Sequence, residues 1–181
     1  MTGFPVIRPA RGDEADAVAE LHAASWRSAY RGILPDATLG EELVPRRRAY
    51  WRSAFAREDW TAILVAEADR ALVGFVAAWT DPDGGYDAIV ESLHVHPARK
   101  RGGIGRALLG AAAAAIADSG RRTLYLWVYD ANAPARRFYE ALGGGAADAR
   151  VHEVVGHPVP EQRMVWPDAA AFAAQCARTA R

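Results

Sequence analysis

The chain has 181 residues, 51% of them hydrophobic, and its 22 Lys and Arg balance 22 Asp and Glu, so the formal net charge is zero. That length suits one domain with a sizeable core, and the neutral balance removes any bulk electrostatic case for binding nucleic acid or a membrane surface. No apolar run is long enough to span a bilayer, MTGFPVIRP lacks the pattern of a secretory signal, and the single Cys176 excludes an internal disulfide and a cysteine-based metal site. The expected setting is cytoplasmic, with no metal.

In chain order, residues 4–9 read as a short edge strand between prolines. Arg11-Gly12-Asp13 turns the chain, with Asp13 as the expected cap of a helix over residues 14–30. Val18, Leu21, Ala24 and Ser25 form its stripe, and Trp26 and Tyr30, four apart, end it. A second helix over residues 44–56 opens with Arg46, Arg47 and Arg48, which oppose the helix dipole and read as a solvated face. Its buried side is Tyr50, Trp51 and Phe55. Trp60–Ala68 and residues 71–80 form an antiparallel hairpin about Asp69-Arg70, in which Gly74 marks a bulge or a close contact.

Residues 81–85, DPDGG, read as a loop, and Tyr86–Val95 as the next strand. After Pro97 a helix runs from about Ile104 to Ser119-Gly120. A strand over residues 123–129 and a helix bearing Ala135, Phe138 and Tyr139 follow. Residues 149–155 then give way to a loop with Gly156, Pro158 and Pro160, and to a last strand over residues 162–166. Asp168 caps an alanine-rich helix containing Phe172 and Cys176, read as a surface appendage. The order β-α-α-β-β-β-α-β-α-β-β is α+β, a sheet with helices on both faces. A single domain over residues 1–166 is expected, with a helical tail over residues 167–181.

Residues 91–110, ESLHVHPARKRGGIGRALLG, carry the strongest chemical signal. An apolar strand feeds a helix through a basic, glycine-rich turn, where unpaired N–H groups converge and the helix dipole adds about half a positive charge. Gly102, Gly103 and Gly105 lack a Cβ and let a phosphate approach the backbone. The turn supplies neither a clean GxGxxG nor a GxxxxGK followed by Ser or Thr, so a dinucleotide or a nucleoside triphosphate is a poor match.

The turn resembles the coenzyme A pyrophosphate loop of the GCN5-related N-acetyltransferase (GNAT) family. Lys100-Arg101-Gly102-Gly103-Ile104-Gly105 follows that family's Gln/Arg-x-x-Gly-x-Gly/Ala pattern, with Lys100 at the Gln/Arg position, and Leu93-His94-Val95-His96-Pro97 fits the lead-in. Residues 123–144, TLYLWVYDANAPARRFYEALGG, resemble the family's next strand and helix at Asn132, Ala135, Phe138, Tyr139, Glu140, Leu142 and Gly143. The resemblance covers about residues 5–166. It implies a mixed, mostly antiparallel sheet with a splayed central strand pair.

The same resemblance implies transfer of an acetyl group from acetyl-CoA to a primary amine of a small molecule or peptide. The main chain at Leu93, His94 and Val95 would bind the pantetheine arm like an added strand. Lys100, Arg101, Gly102, Gly103, Ile104, Gly105 and Arg106 would hold the phosphates, and Asn132 would steady the arm. Tyr139 is the implied acid for the leaving thiolate. N-terminal protein acetyltransferases of the family often carry Glu on the strand before that helix, where this chain has Trp127. Glu91, on the strand parity of Leu93 and Val95, is therefore the candidate base, against a substrate-binding or salt-bridge role. His94 and His96, on the opposite parity, read as structural. Trp26, Tyr30 and Trp127, with Trp79, would wall an acceptor pocket bordered by residues 81–87, where Glu91 and Asp130 attract a cation. The expected partners are acetyl-CoA and an amine; a homodimer through edge strands or the last helix stays open. The competing reading is a non-catalytic acyl-CoA-binding regulatory module.

Overall fold

Alternation along residues 71–83 sorts the two faces of the sheet: Val76 and Ala78 face one layer of helices, Phe75 and Ala77 the other. The computed structural model describes residues 4–178, which hold seven strands in one sheet. These are β1 (Val6–Pro9), β2 (Trp60–Ala68), β3 (Ala71–Asp83), β4 (Tyr86–Val95), β5 (Leu124–Tyr129), β6 (Gly145–Val154) and β7 (His157–Trp166), ordered β1-β2-β3-β4-β5-β7-β6. Every neighbouring pair is antiparallel except β4–β5. The helices are α1 (Ala15–Ala29), α2 (Asp36–Leu39), α3 (Leu43–Phe55), α4 (Ile104–Asp118), α5 (Ala133–Ala141) and α6 (Ala169–Arg178). Val18 of α1 and Trp51 of α3 pack on Phe75, whereas Leu108, Leu109 and Ile116 of α4 pack on Val76, Ala88 and Val90. No helix among the described residues is long and apolar enough to cross a membrane.

Four elements differ from the sequence reading. Glu14, rather than Asp13, organises the start of α1. Its buried carboxylate accepts the Arg11 N–H at 2.7 Å and a bidentate pair from Arg8, which hold it down at about 2, while Asp13 is 85% exposed. The residues before α1 form a short 3-10 turn, Gly12–Glu14. The loop expected at residues 81–85 shrinks to Gly84-Gly85, because β3 continues to Asp83. The last helix is no appendage: Ala169, Phe172 and Cys176 join the α4 core, and Gly110 of α4 lies so close that an added Cβ would stand 2.5 Å from the Cys176 Cβ.

The fourth difference is the β6–β7 hairpin. It begins four residues earlier than expected and runs through the supposed loop, turning at Val155-Gly156 with φ of 52° and 75°. β5 stops at Tyr129, opposite Glu161, so residues 157–160 have a strand on one side only. Pro158 and Pro160 face Glu153 and Val151, at alternate positions from the turn whose N–H would point away from β6. A missing donor costs nothing in the ladder there. The overhanging ribbon lays Val154 and Val159 on Leu34, Leu39 and Leu43, tying it to α2 and α3.

Candidate functional site

The site begins where β4 and β5 part. At their near end the Asp87 carboxylate accepts the N–H groups of Arg122 and Thr123, both at 2.9 Å, and the Asp87 N–H donates to Thr123 Oγ1 at 2.8 Å. Those backbone donors lower the Asp87 pKa. Pairing follows at Ala88–Leu124 and Ile89–Tyr125 and then stops. Beyond it lies a cavity of about 960 Å³. The splayed pair expected from the sequence is present.

A bulge in β4 decides which way its residues face. Ala78 pairs with Val90 and Ala77 with Ser92, leaving Glu91 as the extra residue. Val90 and Leu93, three apart, both face α4, while Ser92 and His94 face α1. Glu91 therefore does not share the face of Leu93 and Val95, as strict alternation predicts. Its carboxylate accepts from Ser92 Oγ at 2.7 Å, acts through space on Arg47, and engages Tyr50 of α3 both by charge and by a side-chain hydrogen bond. His94 bonds Ser25 Oγ through Nδ1 at 3.0 Å, and its ring lies 4.3 Å from that of His22, whose Nδ1 accepts from Trp51 Nε1 at 2.9 Å. Burial holds both rings neutral, His94 down at about 3. His96 instead receives the Ala98 N–H at the turn that follows β4.

At the start of α4, Arg101 and Gly103 both take left-handed conformations, with φ of 67° and 79°. The first bond of the helix runs from Ala107 N–H to the Gly103 carbonyl, so the amides of Ile104, Gly105 and Arg106 are free beside the cavity they line. Lys100, Arg101 and Arg106 stand around them. A Cβ on Gly105 would come within 3.2 Å of Phe138, so this glycine lets α5 approach. Gly102 is not part of the cavity wall. Bare amides, an uncluttered backbone and three cations fit a phosphate-bearing ligand.

Asn132 caps α5 by accepting the Ala135 N–H at 3.4 Å, and also borders the cavity. Two turns on, Tyr139 enters the cavity with its ring 6.1 Å from Trp166. Burial raises its pKa, so the phenol keeps its proton at neutral pH.

On the α1/α3 side Trp26 and Tyr30 line the cavity, with Tyr30 packed 4.8 Å from Tyr129. Trp127 also lines it, beneath the guanidinium groups of Arg150 (4.0 Å) and Arg163 (4.6 Å). Trp79 does not: it packs on Trp60 at 4.5 Å under Arg57. Residues 81–87 are likewise outside, held by Tyr125, Arg163 and the Asp87 clamp, and Asp130 is drawn to Arg136. Two parts of the wall escaped the sequence reading. The ribbon contributes residues 152–155. The three arginines of α3 divide: Arg48 pairs with Glu20, Arg46 is exposed, and Arg47 turns inward over Trp26 at 4.5 Å. Helical spacing could have separated Arg47 from its neighbours, because it shares a face with Tyr50 and Trp51.

A profile described as the acetyltransferase (GNAT) family matches residues 15–144, which contain the cradle, the parted strands and the Tyr139 helix. The chain belongs to that family. A curated relative is the uncharacterized N-acetyltransferase YuaI of Bacillus subtilis (strain 168), 26% identical over 169 residues that cover 92% of this chain and 95% of YuaI. The PaiA N-acetyltransferase of Thermoplasma acidophilum, solved in complex with coenzyme A, superposes with a TM-score of 0.68 at 21% identity, covering 87% of this chain and 96% of that one. YncA of Salmonella typhimurium, a putative acetyltransferase solved with acetyl-CoA, gives 0.65 at 21% identity, covering 90% and 92%. The ribosomal-protein-S18-alanine N-acetyltransferase of Escherichia coli gives 0.67 at 19% identity, covering 93% and 94%. At these identities the three structures share the fold.

Proposed function

We propose that this GNAT protein transfers the acetyl group of acetyl-CoA to a primary amine of a small molecule or peptide, by direct attack with both substrates bound. The observation that carries the reading is one cavity lined by the phosphate cradle, the open edge of β4, Glu91 and Tyr139 together. Coenzyme A and acetyl-CoA in PaiA and YncA support the choice of ligand. Acetyl-CoA supplies a thioester whose carbonyl carbon accepts the amine.

The residues divide the remaining work. The free amides of Ile104, Gly105 and Arg106 hold the pyrophosphate, and the unpaired edge of β4 at Leu93 and Val95 aligns the arm as a strand would. An N–H on that edge stabilises the developing oxyanion, an effect worth about 3–4 kcal/mol in other enzymes. The new C–N bond forms as the C–S bond breaks, the thiolate takes the Tyr139 proton, and the second proton shed by the nitrogen as it becomes an amide restores the phenol. The proton lost by the incoming ammonium passes to Glu91, through water where the reach requires it. Glu91→Gln then slows transfer most at low pH; a loss equal at every pH would assign Glu91 to acceptor binding instead.

The reading is tested by thiol release from acetyl-CoA across amines, amino acids, aminoglycosides and short peptides. Amine-dependent release is expected. Silence across the panel, with acetyl-CoA at 100 times its Kd still adding about 2.7 kcal/mol of stability, would replace the transferase by an acyl-CoA-binding module.

A further inference from the structure

The cations around the acceptor end of the cavity are not alike. Arg150, the cavity's other cation on this side, is paired with Glu161. Arg47 has no ion pair among the described residues, and its Nε is buried without a hydrogen-bond partner. The guanidinium lies over the faces of Trp26 at 4.5 Å and Tyr50 at 5.5 Å. Glu91 acts on it through space but forms no ion pair with it, and bonds Ser92 and Tyr50 instead. A guanidinium taken out of water is costly unless its N–H groups are matched, and its planar fork matches a carboxylate with two parallel bonds.

We propose that Arg47 anchors a carboxylate of the acceptor, and that the acceptor is an amino acid or a similarly small amine bearing a carboxylate. This rests on the transferase reading and narrows it. Arg47 and Glu91 face the same cavity from α3 and from the β4 bulge, one positive and one negative, with a gap between them. A zwitterion fills such a gap with both ends satisfied: its carboxylate on Arg47 and its ammonium towards Glu91, next to the open edge of β4. A polyamine offers nothing to Arg47, and an N-terminal peptide amine has no carboxylate beside it. The phosphates of the coenzyme are accounted for at the start of α4, on the other face of the sheet. Partial burial lowers the Arg47 pKa.

The test compares matched acceptors, free amino acids against their carboxamides, in the wild-type chain and in Arg47→Gln. The expected result is a wild-type preference for the carboxylate that collapses roughly 10–100-fold in the variant, through KM for the acceptor, with KM for acetyl-CoA unmoved. Equal losses for both acceptors would overturn the proposal and leave Arg47 as packing on Trp26. A rise in KM for acetyl-CoA would overturn it in favour of a coenzyme contact. Arg47→Lys, which keeps charge but not the fork, should restore only part of the preference. Calorimetry on the coenzyme A-loaded protein gives an answer independent of turnover. N-acetyl amino acids should bind and their amides should bind more weakly, a difference lost in Arg47→Gln; no binding by either overturns the proposal even if the transferase reading stands, and an acetylated polyamine with silent amino acids does the same.

Discussion

The two ends of the β4–β5 pair use carboxylates in opposite ways. At the joined end Asp87 Oδ2 accepts the backbone N–H groups of Arg122 and Thr123 just before β5, and the ladder closes at Ala88–Leu124. At the parted end Glu91 occupies a bulge, keeps its carboxylate on the cavity side, and no ladder forms beyond Ile89–Tyr125. Four residues separate a strand border completed by protein from one whose donors and acceptors are left for a ligand. Strand propensity is similar throughout. What differs is whether a side chain stitches the border or a bulge turns it away.

The largest effect is expected at the parted end. Tyr139→Phe should slow acetyl transfer about 10²–10⁴-fold while acetyl-CoA still binds with wild-type affinity; an unchanged rate in single-turnover experiments would remove the phenol from the reaction. A smaller effect is expected beneath the cradle. Gly74 pairs with Val95, and an added Cβ would lie 2.8 Å from Leu108 Cδ1 and 3.2 Å from the His94 carbonyl. Gly74→Ala should therefore cost about 1–3 kcal/mol in denaturant unfolding and weaken acetyl-CoA binding by displacing α4.

Acid sharpens the contrast. His22 and His94 titrate well below their ordinary value in the folded chain, so from about pH 6.5 downwards, and to about pH 3 for His94, the unfolded chain binds more protons. Stability should fall through that window by up to about 1.4 kcal/mol per pH unit for each ring. Hydrogen exchange at pH 5 should show residues 92–95 loosening before residues 87–89, because the Asp87 carboxylate stays ionised below its usual range; simultaneous loosening would count against separate ends. The smallest effect is at the joined end, where Asp87→Ala, which unpairs two partly exposed amides, should lower the unfolding free energy by about 1 kcal/mol.

The cradle and the Tyr139 helix were legible because their chemistry sits in short local strings whose backbone amides and glycines do the work wherever the fold places them. The order of the larger elements was legible for the same reason, through periodicity and turns. The facing of Glu91 was not, since a bulge adds one residue with no marker and inverts every parity argument across it. Arg47 was hidden in a run of three arginines, although its spacing from Tyr50 and Trp51 puts it alone of the three on their face of α3. Trp79 was misplaced because an aromatic residue on a central strand looks alike whether it meets the cavity or Trp60. The prolines of β7 read as a loop because the sequence does not show where β5 stops. The core role of α6 was masked by its alanines, and the contact that seats it depends on Gly110 of α4, whose missing Cβ leaves room for Cys176.

Those prolines have a consequence for how the molecule behaves in a crowd. A ribbon that overhangs its sheet offers a ready template on which a strand from another chain could dock and seed aggregation. Pro158 and Pro160 leave that side without two of its donors, and the Pro160 carbonyl already accepts the Asp130 N–H at 2.9 Å, so an incoming strand would find gaps instead of a ladder. The protein can thus extend a wall over its site without also extending an invitation to its neighbours.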